Sequence, residues 1–103
     1  MNLNEYQDMA ELYQRPSARS LEYLTLGLMG EAGEVAEKVK RLLRDNQAVD
    51  PKEIGKELGD VLWYVARLAA HFELSLDSVA AGNISKLWLR KENGTEAGKG
   101  DNR

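Results

Sequence analysis

Cysteine is absent from this 103-residue chain, so neither a disulfide framework nor a zinc–thiolate site is open to it, and a cytoplasmic location is expected. Basic residues are outnumbered, 14 Lys and Arg against 17 Asp and Glu, giving a formal charge of −3 and a pI near 5.2. A broad basic surface is thereby excluded, and with it a nucleic acid polymer as the expected partner. No apolar run approaches the roughly 18–20 residues that a membrane span needs, and Met1-Asn2-Leu3-Asn4-Glu5 lacks the basic and apolar regions of a signal peptide. No membrane partner is expected. Proline is confined to Pro16 and Pro51, and alternating β-type patterning and internal repeats are missing.

What is present is helical patterning, with 43% hydrophobic and 30% charged residues, the balance of an ordinary globular domain. A short first helix is predicted from Asn4 to Gln14, with Asn4 as cap, Gln7 as its reciprocal partner, and Tyr6, Met9, Leu12 and Tyr13 as the apolar face. Ser17 or Ser20 then caps a long helix to about Arg44, in which Leu21, Leu24, Leu28, Val35, Val39 and Leu42 recur at helical spacing. Asp50-Pro51-Lys52-Glu53 combines an N-cap, a proline at the first helical position and a capping-box glutamate. The third helix it opens carries Ile54, Leu58, Val61, Leu62, Val65, Leu68, Ala69 and Phe72, and ends between His71 and Glu73. Ser75 caps a fourth, whose buried face is expected to include Ala80, Ile84, Leu87 and Trp88. The expectation is an all-α, antiparallel four-helix bundle-like protomer over residues 1–93, completed by homo-oligomerisation, with a disordered polar tail at 94–103.

Two acidic pairs stand beside the apolar stripes of the long helices. Glu31 and Glu34 are three apart on the second, and Glu57 and Asp60 are three apart on the third, so each pair occupies nearly one face. Such spacing is common in this chain; Glu5/Asp8 and Asp50/Glu53 share it. The distinction of the two pairs is that helices which must pack together carry them next to the seam. Four carboxylates brought together repel one another unless a hard cation such as Mg²⁺ lies among them.

Gly27, Gly30 and Gly33 interrupt the second helix and Gly55 and Gly59 the third, each at a cost of about 1 kcal/mol relative to alanine. Close helix packing or close approach of a ligand explains that tolerance. On the fourth helix Asn83, Lys86 and Arg90 share one strip, a set able to hold phosphate oxygens or to serve as an ordinary solvated face near a helix C-terminus. His71 stands alone and reads as exposed; Trp63 and Trp88 read as core or subunit-contact residues.

Taken in order, Gly27-Leu28-Met29-Gly30-Glu31-Ala32-Gly33-Glu34-Val35, then Glu57-Leu58-Gly59-Asp60-Val61-Leu62-Trp63-Tyr64, then Asn83-Ile84-Ser85-Lys86-Leu87 with Arg90, resemble the MazG-like nucleoside triphosphate pyrophosphohydrolases. The family's signature is ExxE followed after a spacer by ExxD, and here the spacer runs from Val35 to Lys56. The resemblance implies a helical homodimer or tetramer that converts a (d)NTP to the monophosphate and pyrophosphate. It implies Mg²⁺, with Mn²⁺ as a substitute, held by Glu31, Glu34, Glu57 and Asp60, with Glu31 or Glu34 as general base. Asn83, Lys86 and Arg90 take the positions that help hold the nucleotide. Tyr6, Gln7 and Tyr23 are candidate base contacts by position and polarity. The rival reading is a non-catalytic helical association module.

Overall fold

The computed structural model describes residues 1–94 and contains four α-helices and one short 3₁₀ turn, with no strand among those residues. Helix α1 spans Leu3–Glu11, the 3₁₀ turn Pro16–Ala18, α2 Leu21–Asp45, α3 Pro51–His71 and α4 Leu76–Glu92. The expected tail begins at Gly94, which takes φ 68°, and otherwise lies outside the described residues.

Side-chain caps set the starts. The oxygens of Ser20, Asp50 and Ser75 accept from the backbone N–H groups of Tyr23, Lys52 and Ser78, satisfying donors that a helix start leaves unpaired. Ser20 rather than Ser17 caps α2, because Pro16, Ser17 and Ala18 are spent in the 3₁₀ turn. Helix α2 ends where Asn46 enters the left-handed region at φ 52° and the N–H of Gln47 bonds to Leu42 O. The first helix departs from expectation at both ends. Asn2 caps it, accepting from Glu5 N at 2.8 Å, and it stops at Glu11. Asn4 is instead turned to the far end of the chain, where its Oδ1 accepts from the N–H of Asp77 in the first turn of α4.

Helices α2 and α3 form the principal pair. Gly27 meets Tyr64 and Lys38 meets Glu53, so residue numbers rise on one helix as they fall on the other and the two run antiparallel. Helix α1 lies across α3, fixed by Trp63 Nε1 donating to Ala10 O at 3.1 Å. Helix α4 contacts α1 and α3, and among the described residues has no contact with α2.

The buried core is small: Leu24, Leu76 and four alanines, Ala10, Ala18, Ala66 and Ala69. A polar network fills the remainder. Gln7 is buried; its Nε2 donates to Ala66 O and Leu74 O, and its Oε1 accepts from Leu76 N. Arg67, also buried, donates through Nε to Gln14 Oε1 at 2.7 Å and through its guanidinium to Gln7 O at 3.0 Å. The buried face of α1 is therefore Gln7 and Ala10, whereas Met9, Leu12 and Tyr13, expected to face the core, are exposed. The same holds elsewhere. Leu58 and Leu62 on α3, and Ile84, Leu87 and Trp88 on α4, lie open in the single protomer, with Ile84 66% exposed. Amide and guanidinium groups held by hydrogen bonds took the inner positions, and the larger apolar faces were left outward.

Candidate metal centre

The antiparallel register of α2 and α3 places Glu31 against Asp60 and Glu57 across the helix seam. Oxygens of these three carboxylates lie within 4.8 Å of one another. Glu31 and Glu57 are half-buried and Asp60 is exposed. Glu34 is exposed and falls outside the three-donor group. Its charge is nevertheless felt: the Glu31 carboxyl is held above its ordinary range by burial first, then by Asp60, Glu57 and Glu34 in turn. A cation among these oxygens would remove that penalty. Three hard oxygen donors at this separation fit Mg²⁺ or Mn²⁺, which take a few carboxylates and fill their remaining positions with water and phosphate.

Two neighbours of the cluster, Lys38 and Tyr64, were not expected from sequence. Lys38 Nζ lies 3.2 Å from Glu57 and 3.3 Å from Glu53, tying the N-terminal turns of α3 to α2. Its signal was spacing, since Lys38 follows Glu31 by seven residues, two turns along the same face. Tyr64 follows Asp60 by four, one turn on. Its hydroxyl is pushed up from the usual phenol range by burial, then by Tyr23, Glu31 and Asp60. Tyr6 is pushed up likewise, by burial and then Asp60. Tyr6 of α1 and Tyr64 of α3 thus stand near the carboxylates, with Tyr23 of α2 against Tyr64.

One glycine of the series has a packing reason within the protomer. A Cβ on Gly27 would stand 2.1 Å from Cε1 of Tyr64, so only glycine admits that ring against α2. Gly30, Gly33, Gly55 and Gly59 meet nothing within 4 Å. Of the remaining expected site residues, Asn83 and Lys86 are exposed on α4, while Arg90 is buried at 8% exposure and engaged in an interaction of its own. Gln7 is a core residue with its amide fully committed, which removes it from the candidate base contacts.

An all-helical protomer that gathers carboxylates on two packed helices defines an all-α protein with a candidate divalent-cation centre. The chain belongs to the MazG nucleotide pyrophosphohydrolase family: the profile of the MazG nucleotide pyrophosphohydrolase domain matches residues 19–95, the stretch that carries all four carboxylates. It is also similar to the Gene 37 protein of Mycobacterium phage L5, with 48% identity over 91 residues, covering 84% of this chain and 80% of that protein. No solved structure matches it significantly. Among the described residues, no helix is long and apolar enough to cross a membrane.

Proposed function

We propose that this chain hydrolyses a (deoxy)nucleoside triphosphate to the monophosphate and pyrophosphate, with Mg²⁺ as cofactor and Mn²⁺ as a substitute, as a cytoplasmic enzyme of nucleotide-pool control. The observation that carries the reading is the convergence of Glu31, Glu57 and Asp60 within 4.8 Å, inside the segment matched by the family profile.

Glu31, Glu57 and Asp60 hold the ion. Bound Mg²⁺ supplies charge neutralisation at the phosphate oxygens and a more acidic water. Glu34, exposed beside the cluster, is the carboxylate left to accept the proton of the attacking water, and Glu31 is the second candidate because its basicity is raised by its neighbours. Asn83 and Lys86, with Arg90 behind them on α4, are assigned to the phosphate oxygens. Because α4 does not contact α2 within the protomer, we place Asn83 and Lys86 at the acidic cluster of a second copy, while Arg90 stays buried and engaged within its own protomer. A homodimer or tetramer would also cover Ile84 and Trp88 of α4, which stand 66% and 60% exposed. Tyr6 and Tyr23 are assigned to the nucleoside.

The test is a panel of canonical and modified (d)NTPs with the full chain and Mg²⁺. Pyrophosphate release from at least one, stopped by EDTA and reduced by about a hundredfold or more in a folded Glu34→Gln variant, is the expected result. No release from any nucleotide would favour the association module.

A further inference from the structure

Two helical turns along the α2–α3 seam from the carboxylates lies a cleft of about 180 Å³ lined by Gln14, Arg19, Leu24, Arg67, Ala70 and His71. The chain as a whole is acidic, yet none of these six residues is. Asp60 to Arg67 and Glu31 to Leu24 are both steps of seven residues, a displacement of about 10 Å along each helix. The cleft is thus a separate place in the fold.

The two guanidiniums facing it have spare capacity of one kind. The Gln14 amide is committed, accepting from Arg67 Nε and donating to Ala18 O at 2.8 Å. A guanidinium has five N–H donors. Among the described residues Arg67 uses one on Gln14 and one on Gln7 O, and Arg19 uses one on Gln14 O at 3.2 Å. The remaining donors call for a ligand that only accepts. Arg67 is also fixed in place: its side chain is 8% exposed, and Gln7 and Gln14 hold it from two directions. A guanidinium ordered in advance loses little freedom when it binds.

The chain shows where an oxyanion would go. The Glu11 carboxylate reaches toward both cations, 3.9 Å from Arg19 and 4.0 Å from Arg67, and hydrogen-bonds to neither. Its side chain is 57% exposed and at the margin of the cleft. A carboxylate that bridges two guanidiniums at such range is a weak internal occupant, displaced by a ligand with more charge and more oxygens.

We propose that Arg19 and Arg67, with His71 at the rim, form a phosphate-binding site separate from the carboxylate cluster, taking a small polyvalent phosphate, and that Glu11 is its built-in competitor. Orthophosphate, pyrophosphate and the phosphate of a nucleoside monophosphate share the required chemistry.

The experiment is calorimetric titration of the full chain with each of these three ligands, in EDTA and at about 0.15 M salt, so that neither a metal route nor long-range attraction contributes. At least one binds the wild type. Arg19→Ala, at a half-exposed position, weakens that ligand at least tenfold, and Glu11→Gln tightens it about threefold or more. Glu37→Gln makes the same change in net charge on α2 beside Arg41, and leaves binding unaltered. The ligand bound most tightly identifies the source of the phosphate. Absence of heat with all three ligands overturns the proposal, as does equal behaviour of Glu11→Gln and Glu37→Gln. The gain in Glu11→Gln cannot arise from unfolding.

Discussion

Lys38 Nζ lies 3.2 Å from Oε1 of Glu57 and 3.3 Å from Oε2 of Glu53, so a single ammonium answers two carboxylates of the facing helix. One of the three clustered acids therefore has a cation of its own. The Lys38 pKa is raised, chiefly by its hydrogen bond to Glu57, so the pair's stabilisation is complete below 10.5 and is lost as pH rises through the higher folded value. Lys38→Met is expected to lower the Tm in EDTA at pH 7 and to tighten Mg²⁺ binding by roughly two- to tenfold, since a competing charge is gone. Calorimetric titration with Mg²⁺ decides it. Weaker binding would mean that Lys38 positions Glu57 instead of competing with the ion.

Glu31 gives a pH dependence of the same sense in a more acidic range, as a penalty that grows with pH where Lys38 has a stabilisation that is lost. An acid whose folded pKa is raised destabilises the fold above that value, and the penalty fades as pH falls toward the ordinary 4.5. In EDTA, Glu31→Gln should therefore melt at a higher temperature than wild type at pH 7, with the difference shrinking to nothing near pH 4.5. With Mg²⁺ present the order at pH 7 should reverse, because the variant has lost a donor. Thermal melts at the two pH values, with and without the ion, check all three statements.

The glycines separate by what surrounds them. Gly27→Ala drives a methyl into the Tyr64 ring and should cost about 1–3 kcal/mol in urea unfolding, despite alanine's better helix propensity. Gly30→Ala meets nothing in the protomer and should not destabilise it. Equal losses at the two positions would show that Gly30 touches a neighbour in the assembled protein.

Gln7→Leu keeps the volume of the side chain and removes its bonds to Ala66, Leu74 and Leu76. The N–H of Leu76 is then buried without its acceptor, and the loss should be about 2–3 kcal/mol. Urea midpoints for wild type and variant measure it, and a change below about 0.5 kcal/mol would mean that water replaces the amide.

Subunit mixing tests the assignment of α4 to a neighbouring copy. Glu57→Gln and Lys86→Ala should each abolish pyrophosphate release, and mixing the two proteins should restore activity that neither has alone. A mixture as inactive as its components would return both residues to one chain.

The helical layout was legible because its signals are local. Asp50-Pro51 and Ser75 mark helix starts by chemistry that acts within three residues, and the structure uses both. The clustered acids were legible for a related reason: period fixes which residues share a face, and a short connection from Asn46 to Asp50 fixes the antiparallel pairing that brings Glu31 to Asp60. Glu34 is exposed and lies outside the three-donor group, although its charge still reaches Glu31. What stayed hidden depends on contacts distant in sequence. Hydropathy places Gln7, Gln14 and Arg67 on the surface, and only their bonds to one another and to backbone groups more than fifty residues away make them core. The outward Leu58, Ile84 and Trp88 are the same error reversed, since an apolar stripe marks a face to be covered without saying which chain covers it.

The Gln7 amide also sets an order of assembly. Two of its three bonds are to Leu74 and Leu76, separated from it by 67 and 69 positions, whereas the α2–α3 hairpin closes over a five-residue connection, 46–50. During synthesis the carboxylate-bearing hairpin has all its partners before α4 begins, and the first helix does not. A nascent chain halted before Leu74 already contains Glu31, Glu57 and Asp60, but offers Gln7 only the Ala66 carbonyl of its three partners. Helix α4 is thus the element that locks the first helix.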